Sequence, residues 1–216
     1  MKIAVVTCNI GNYDNIEPLP EQSVDYTYIC FTEKNLPFPL ANLDRRMKAR
    51  YLKCQMHRYL PQTALIWIDG RIKVTSSKFV EYMVDLLLKT DIVLPLHPER
   101  NNIMDEYSYV LEHLDKGSKY LNKRYGDQPM WEERNFMENS NPKTDVFYAT
   151  GVMARKNSVF ANKIFDDCWH RQLEYSCFDQ GWLNFFIGKY DAHVAPIPYK
   201  NDHFIVGNHA QGFDNE

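Results

Sequence analysis

The sequence has nine glycines, and none is arranged as a phosphate loop. Neither Gly-x-Gly-x-x-Gly nor Gly-x-x-x-x-Gly-Lys occurs, which removes the dinucleotide-binding oxidoreductases and the P-loop enzymes, kinases with them. A Gly-x-Ser-x-Gly elbow and a His-Glu-x-x-His pair are missing as well. The five cysteines (Cys8, Cys30, Cys54, Cys168, Cys177) are odd in number, scattered and never spaced Cys-x-x-Cys. They signal neither a disulfide scaffold nor a zinc ribbon, and they fit a reducing, cytoplasmic compartment. No apolar run approaches the ~20 residues of a bilayer span. The first run, residues 3–6, is too brief for a signal peptide, so the chain reads as soluble. An excess of one charge is also absent. A formal charge of -3 with 44% hydrophobic and 25% charged residues excludes disorder and makes nucleic acid an unexpected partner. The 216 residues suffice for one domain, which buries roughly 70% of its extended surface at this size.

What is present centres on Ala64-Leu-Ile-Trp-Ile-Asp-Gly-Arg-Ile-Lys-Val74. Its first five residues are apolar, branched or aromatic, and they read as a buried strand that ends in a carboxylate. An ionised carboxylate at the dry end of a strand is costly unless cations or hydrogen-bond donors meet it, so charge is expected to be bound at Asp69. Gly70 leaves room for another backbone or a ligand. If the chain stays extended through Gly70, the two-residue period puts Arg71 on the side of Asp69, and the simplest outcome is an ion pair between the two.

Around that stretch the chain alternates strand and helix. Lys2-Ile-Ala-Val-Val-Thr-Cys8 is a buried strand that feeds the turn-forming cluster Asn9-Ile-Gly-Asn-Tyr-Asp14. Residues 24–31 read as a second strand. Over 44–60 the apolar positions Met47, Tyr51 and Cys54 recur at helical spacing, Asp44 is placed to cap, and Pro61 marks the stop. Arg45, Arg46, Lys48, Arg50, Lys53 and Arg58 fill the remaining face; such a face is normally solvated, but this one leads directly into the strand of Asp69. Ser76 and Ser77 can cap a helix striped by Phe79, Val80, Met83, Leu86 and Leu87, and residues 91–96 return as a strand. His97 and Arg100 then sit at a strand end, followed by a helix with Ile103, Tyr107, Val110, Leu111 and Leu114 in register. Residues 116–141 are polar and read as an irregular insertion near the site, with Trp131 as a sugar platform. A short strand at 145–148, helices at 158–172 and 179–190, a strand at 192–197 and a Gly/His/Asn-rich tail complete the chain. The alternation argues for an α/β sandwich around a mainly parallel sheet.

The order of these pieces resembles the GT-A glycosyltransferases. Arg50-Tyr-Leu-Lys53 followed by Trp67-Ile-Asp-Gly-Arg71 resembles the helix and strand that lead into their Asp-x-Asp motif. The nearest group is the retaining glycogenin and bacterial galactosyltransferase group. Thr150-Gly-Val-Met153 resembles its Asn-x-Gly-Val-Met segment, Asp179-Gln-Gly-Trp-Leu-Asn184 its Asp-Gln-x-x-Leu-Asn helix start, and His203-Phe-Ile-Val-Gly207 its His-Phe-x-Gly. Trp67-Ile-Asp-Gly70 and His97-Pro-Glu-Arg100 are similar to plant mucilage-related glycosyltransferase-like proteins. The whole also resembles the first domain of chlorella-virus glycosyltransferases that act on capsid protein.

The resemblance implies a Rossmann-like, GT-A-like single domain over 1–216, with nucleotide binding within about 1–100 and the sugar and acceptor side within about 101–216. It implies a UDP-sugar donor, UDP-glucose first, and transfer of the hexose to a hydroxyl of a glycan or glycoprotein. Thr7, Cys8, Asn9, Gly11 and Tyr13 would hold base and ribose, together with the backbone around Ile68 and Gly70. Asp69 with His203 or His209 would hold Mn²⁺ or Mg²⁺ against the diphosphate. Arg71 stands where the group has its second Asp; a guanidinium cannot ligate a metal but binds phosphate in bidentate fashion, so Arg71 with Arg50 and Lys53 is the electrostatic alternative. Thr150, Gly151, Asp179, Gln180, His97 and Arg100 would meet the sugar, with Asp69, Arg71 and Asp179 as the catalytic set. Asp179 could instead only cap its own helix. A sugar nucleotidyltransferase and a catalytically silent sugar-binding module are the competing functions.

Overall fold

The apolar runs that bracket the first 70 residues lie side by side. In the computed structural model, which describes residues 1–37, 40, 42–143 and 145–209, β1 (Ile3–Cys8) is flanked by β2 (Thr27–Phe31) and β3 (Ala64–Ile68), all parallel. Helix α1 (Arg45–Cys54) precedes β3, and β4 (Ile72–Val74) and α2 (Phe79–Leu87) follow it. Next come β5 (Ile92–Pro95), α3 (Ile103–Asp115), α4 (Lys119–Tyr125), α5 (Met130–Ser140) and β6 (Val152–Lys156). The described chain closes with α6 (Val159–Glu174), α7 (Asp179–Lys189), β7 (Val194–Ile197) and β8 (Phe204–Val206).

Six strands form one sheet in the order β2-β1-β3-β6-β5-β7, in which only β6 runs against its neighbours. The parallel strands therefore share one carboxyl edge, and β6 begins at that same edge. Strand β8 pairs with β4 in a separate two-stranded ribbon.

Side chains leave the strands alternately. Ala4, Val6, Leu65, Trp67, Ile92 and Leu94 enter a core shared with α1 and α3 to α7, whereas Val5, Ile66, Ile68 and Val93 meet α2 and the β4–β8 ribbon. The two-residue period that separates these faces also decides where Asp69 points. It continues the series Leu65, Trp67 and so turns toward α1. That helix starts where the sequence placed it: Asp44 accepts a hydrogen bond from the backbone N–H of Met47 at 2.8 Å, a cap worth ~1 kcal/mol.

Several expectations are corrected. Helix α1 stops at Cys54, and a 3-10 turn (Met56–Arg58) intervenes before Pro61. The first turn of α2 is met by Gln22, whose Oε1 accepts from Val80 N at 3.0 Å, whereas Ser76 closes only the turn onto Lys78 N. Residues 116–141 are not irregular: Ser118 caps α4 through Leu121 N, and α5 follows. Residues 145–148 form no strand, only a bridge from Tyr148 to Leu96. The segment after Gly151, in contrast, becomes the central strand β6, and it carries Arg155 into the helical core. There Arg155 is fully buried, donates to the Cys54 carbonyl at 2.8 Å and lies 4.0 Å over the Phe165 ring. No helix among the described residues is long and apolar enough to cross a membrane.

Candidate active site

Four charged side chains close the carboxyl edge of the sheet. Lys53, only 2% exposed, reaches from α1 to Asp69 Oδ1 at 3.3 Å and to Asp179 Oδ2 at 2.7 Å. Arg50, one turn earlier, holds Asp179 Oδ1 at 3.0 Å and donates through Nε to the Cys177 carbonyl at 3.1 Å. Thr150 Oγ1 donates to Asp179 Oδ2 at 3.1 Å and accepts from Lys53 at 3.3 Å. Asp69 is further met by the Trp67 indole N–H at 2.7 Å, and its own N–H donates to the Gly151 carbonyl at 2.7 Å. A Cβ at Gly151 would stand 3.4 Å from Asp69 Oδ2, in contact with the carboxylate.

Burial alone would raise both carboxyls, but the charges of Lys53 and Arg50 outweigh it. Asp69 is left below the ordinary carboxylate range and Asp179 well below it. Both are ionised at neutral pH. The face of α1 that carries Arg50 and Lys53 is thus buried rather than solvated. Asp179 occupies the first turn of α7, with Phe178 in the cap position, so its carboxylate serves the cluster and not its own helix.

Two adjoining cavities open from this cluster. The first is lined by seven basic side chains (Arg45, Arg46, Arg50, Arg71, Lys119, Lys123, Arg124) against the two carboxylates of Asp14 and Asp69. Tyr13 forms its far wall, with the Arg45 guanidinium 4.5 Å from its ring centre and the His209 ring 4.8 Å away. Cys8 also lines it; burial, then the Asp69 charge, pushes its thiol up to about 12, so it remains protonated. The second cavity takes in Lys53, His97, Glu106, Tyr109, Thr150, Gly151, Asp179 and Gln180. Arg50, Asp69, Arg71, Tyr120 and Arg124 belong to the wall between the two. His97 is lowered to about 4 by burial and by Arg100, which leaves a neutral imidazole whose Nδ1 accepts from Arg100 N at 3.1 Å.

The loop after β1 is tied rather than open. Asn9 exchanges two hydrogen bonds with the backbone of Asp14, at 2.8 and 3.0 Å, and Gly11 N–H donates to Glu33. The Asp14 carboxylate then fills the space over Gly70, where a Cβ would lie 2.6 Å from its Oδ2, and meets His209 Nδ1 at 2.9 Å.

Of the residues singled out from sequence, the fold brings Cys8, Tyr13, Arg50, Lys53, Asp69, Gly70, Arg71, His97, Thr150, Gly151, Asp179, Gln180 and His209 to the two cavities. Thr7, Asn9, Gly11 and Ile68 line neither cavity, and Ile68 packs on the α2 side of the sheet. Arg100 is turned to Glu106, at 2.9 Å, and onto the Tyr109 ring. His203 is not brought there: its ring stacks on Tyr82 of α2 at 4.2 Å. Trp131 lies exposed on α5 and lines neither cavity. Arg71 reaches the cleft by a different route from the one expected. The chain does not stay extended but turns, with Ile72 N–H donating to the Asp69 carbonyl at 2.9 Å, and Asp69 pairs with Lys53 instead of Arg71.

No protein-family profile and no curated protein matches the chain. Solved structures do. The bifunctional glycosyltransferase WbbM, in its apo structure, aligns over 91% of this chain and 39% of its own with a TM-score of 0.53 at 12% identity. Mouse xyloside xylosyltransferase 1, also apo, aligns over 91% of this chain and 85% of its own with a TM-score of 0.47 at 12% identity. The fold of this chain, a mixed sheet flanked by helices, is thus similar to that of part of WbbM. In this version of it the residues do not fit the divalent cation that the sequence resemblance implies. Beside a diphosphate such an ion needs only one or two side-chain ligands, but those the resemblance offers are engaged elsewhere, and among the described residues no three His, Cys, Asp or Glu side chains converge. Asp69 Oδ1 is already shared by Lys53 and Trp67, the neighbouring position is a guanidinium, and His209 is directed to Asp14.

Arg45 and Arg46 were read only as part of a basic helix face, and Asp14, Lys119, Tyr120, Lys123 and Arg124 were not singled out. The last four occupy one face of α4 at spacings of one and four, a signal that the Ser118 cap could have disclosed.

Proposed function

We propose that the protein is a glycosyltransferase whose donor is a UDP-sugar. The observation that carries this reading is the cleft itself. An aromatic wall at Tyr13 leads into a channel with a large excess of cations, which ends at the polar pocket of His97, Thr150, Asp179 and Gln180. A base, a diphosphate and a sugar in sequence have that complementarity.

In this reading the base lies against Tyr13, and the diphosphate lies on the wall of Arg50, Arg71 and Arg124. The sugar occupies the second cavity. Departure of the nucleoside diphosphate builds negative charge on the bridging oxygen, and fixed guanidinium and ammonium groups in a water-poor cleft stabilise it without reorganising. Lys53 and Arg50 are locked by Asp179 and Asp69 and so keep their positions through the reaction. The acceptor hydroxyl attacks the anomeric carbon as the bond to the phosphate oxygen breaks, and the departing phosphate takes the hydroxyl proton. Glucose as the sugar, retention of configuration, and a glycan or glycoprotein acceptor, capsid glycans among them, rest on the sequence resemblance.

The test is incubation with UDP-sugars in water and with candidate glycan acceptors, following UDP release. Slow hydrolysis, accelerated by an acceptor and abolished by Asp69→Ala in a folded protein, is the expected result. Pyrophosphate exchange between UTP and a sugar phosphate, or binding with no turnover under any acceptor, overturns the reading.

A further inference from the structure

Every carboxylate in the central cluster is already answered by a cation, yet two guanidiniums in the shared wall have no carboxylate partner among the described residues. The Nε–H groups of Arg71 and Arg124 are buried and have no hydrogen-bond partner, and neither side chain makes an ion pair among the described residues. A buried donor without a partner is uncommon in a folded protein, since its lost hydration is not made good. Both residues face the two cavities together, where the diphosphate must sit if base and sugar occupy the opposite ends.

Both are also held in place. Arg124 donates to the Tyr120 hydroxyl, and its guanidinium lies 5.3 Å from the Tyr125 ring centre. Arg46 of α1 donates to the Arg124 carbonyl and, at 3.3 Å, to that of Lys123, which fastens α4 over the cleft. Arg71 is anchored through its carbonyl, which accepts from Gly207 N at 3.0 Å. A planar guanidinium with a free edge binds phosphate oxygens in pairs and carries its charge at all accessible pH.

We infer that Arg71 and Arg124 form a clamp for the diphosphate of the donor, and that the protein binds this ligand without a divalent cation. The inference rests on the glycosyl-transfer reading above and deepens it. Arg71, in the position where a second carboxylate would recruit a metal, supplies the positive charge directly, and Arg124 adds to it from α4.

The experiment is calorimetric titration of UDP into EDTA-treated protein and into protein with Mn²⁺, for the wild type and for the Arg71→Met and Arg124→Met variants, each checked for an unchanged melting transition. The wild type is expected to bind UDP equally well in both media, with inorganic pyrophosphate competing. Each variant is expected to bind ~10- to 100-fold more weakly, the equivalent of one charged hydrogen-bonding contact. Should either variant fail to fold, Arg71→Lys and Arg124→Lys replace it, since Lys keeps the charge but loses the paired edge, and a weakened affinity is again expected. Binding that appears only on addition of Mn²⁺ overturns the clamp while leaving the transferase reading intact, as does wild-type affinity in both folded variants. Absence of UDP binding in either medium overturns the transferase reading, and the clamp with it.

Discussion

Lys53→Met removes the ammonium at the centre of the charge cluster while keeping most of the side-chain volume. Its Nζ bridges Asp69 and Asp179 at 3.3 and 2.7 Å, so those carboxylate oxygens lie within about 6 Å of one another. Without the cation they repel by ~3 kcal/mol at an effective dielectric of 20. Removing one partner of a buried pair is measured at ~3–5 kcal/mol in other proteins, and the two figures agree in scale. Arg50 continues to hold Asp179, which leaves Asp69, with only the Trp67 N–H, as the more exposed loser.

The effect has a pH signature. In the wild type both carboxyls are depressed, so their stabilisation is full above the unfolded carboxylate value and is lost as pH falls through the folded values. In the variant, burial and mutual repulsion raise Asp69 instead, so the penalty is greatest at neutral pH and is relieved as pH falls and Asp69 takes up a proton. Urea unfolding at pH 7 and at pH 4.5 is the assay. The expected result is a loss of ~3–5 kcal/mol at pH 7 that shrinks markedly at pH 4.5. A loss below ~1 kcal/mol, the scale of a surface pair, or one independent of pH, refutes the argument.

Other outcomes follow from single contacts. Gly70→Ala forces Asp14 away from the turn, with overlaps at 2.6 and 2.9 Å; it should cost ~1–3 kcal/mol and weaken UDP binding in a thermal-shift titration. Asp44→Ala removes the α1 cap and should cost ~1 kcal/mol in chemical unfolding, whereas Asp44→Ser should recover most of it. Glu133, raised to about 7 by burial and fully enclosed against the Tyr107 hydroxyl, destabilises the fold once ionised. Because its folded value lies above the unfolded one, stability should decline as pH rises from about 4.5 through 7. Glu133→Gln should flatten that decline when melting is followed from pH 5 to pH 8; an unchanged slope would show that another group titrates.

The strand of Asp69 was legible because five consecutive apolar residues ending in an acid admit few other readings, and the two-residue period carried through to the face it occupies. The helix before it was legible as a helix but not in its orientation. An apolar count ranks Arg50 and Lys53 as surface, and the carboxylate that both of them pair with, Asp179, comes more than a hundred residues later. The same distance hides Arg155: a charged residue in β6 reads against a central strand until the Cys54 carbonyl and the Phe165 ring arrive from α1 and α6. Helix α4, at seven residues, is too short for periodicity to reveal, so the arginine and lysines it contributes to the cleft went unread. His203 was carried by a tail motif; the tail does return to the ribbon beside β4, but the side chain turns to α2, a matter of strand register that spacing alone does not set.

The most direct test of the account is calorimetric titration of the wild-type protein with UDP, uridine and inorganic pyrophosphate, with and without Mn²⁺. A cleft built for base and diphosphate together should bind UDP saturably, more tightly than either fragment, and in competition with both. If neither UDP nor any other nucleoside diphosphate binds in either medium, the cation-lined cleft is not a donor site and the account is contradicted.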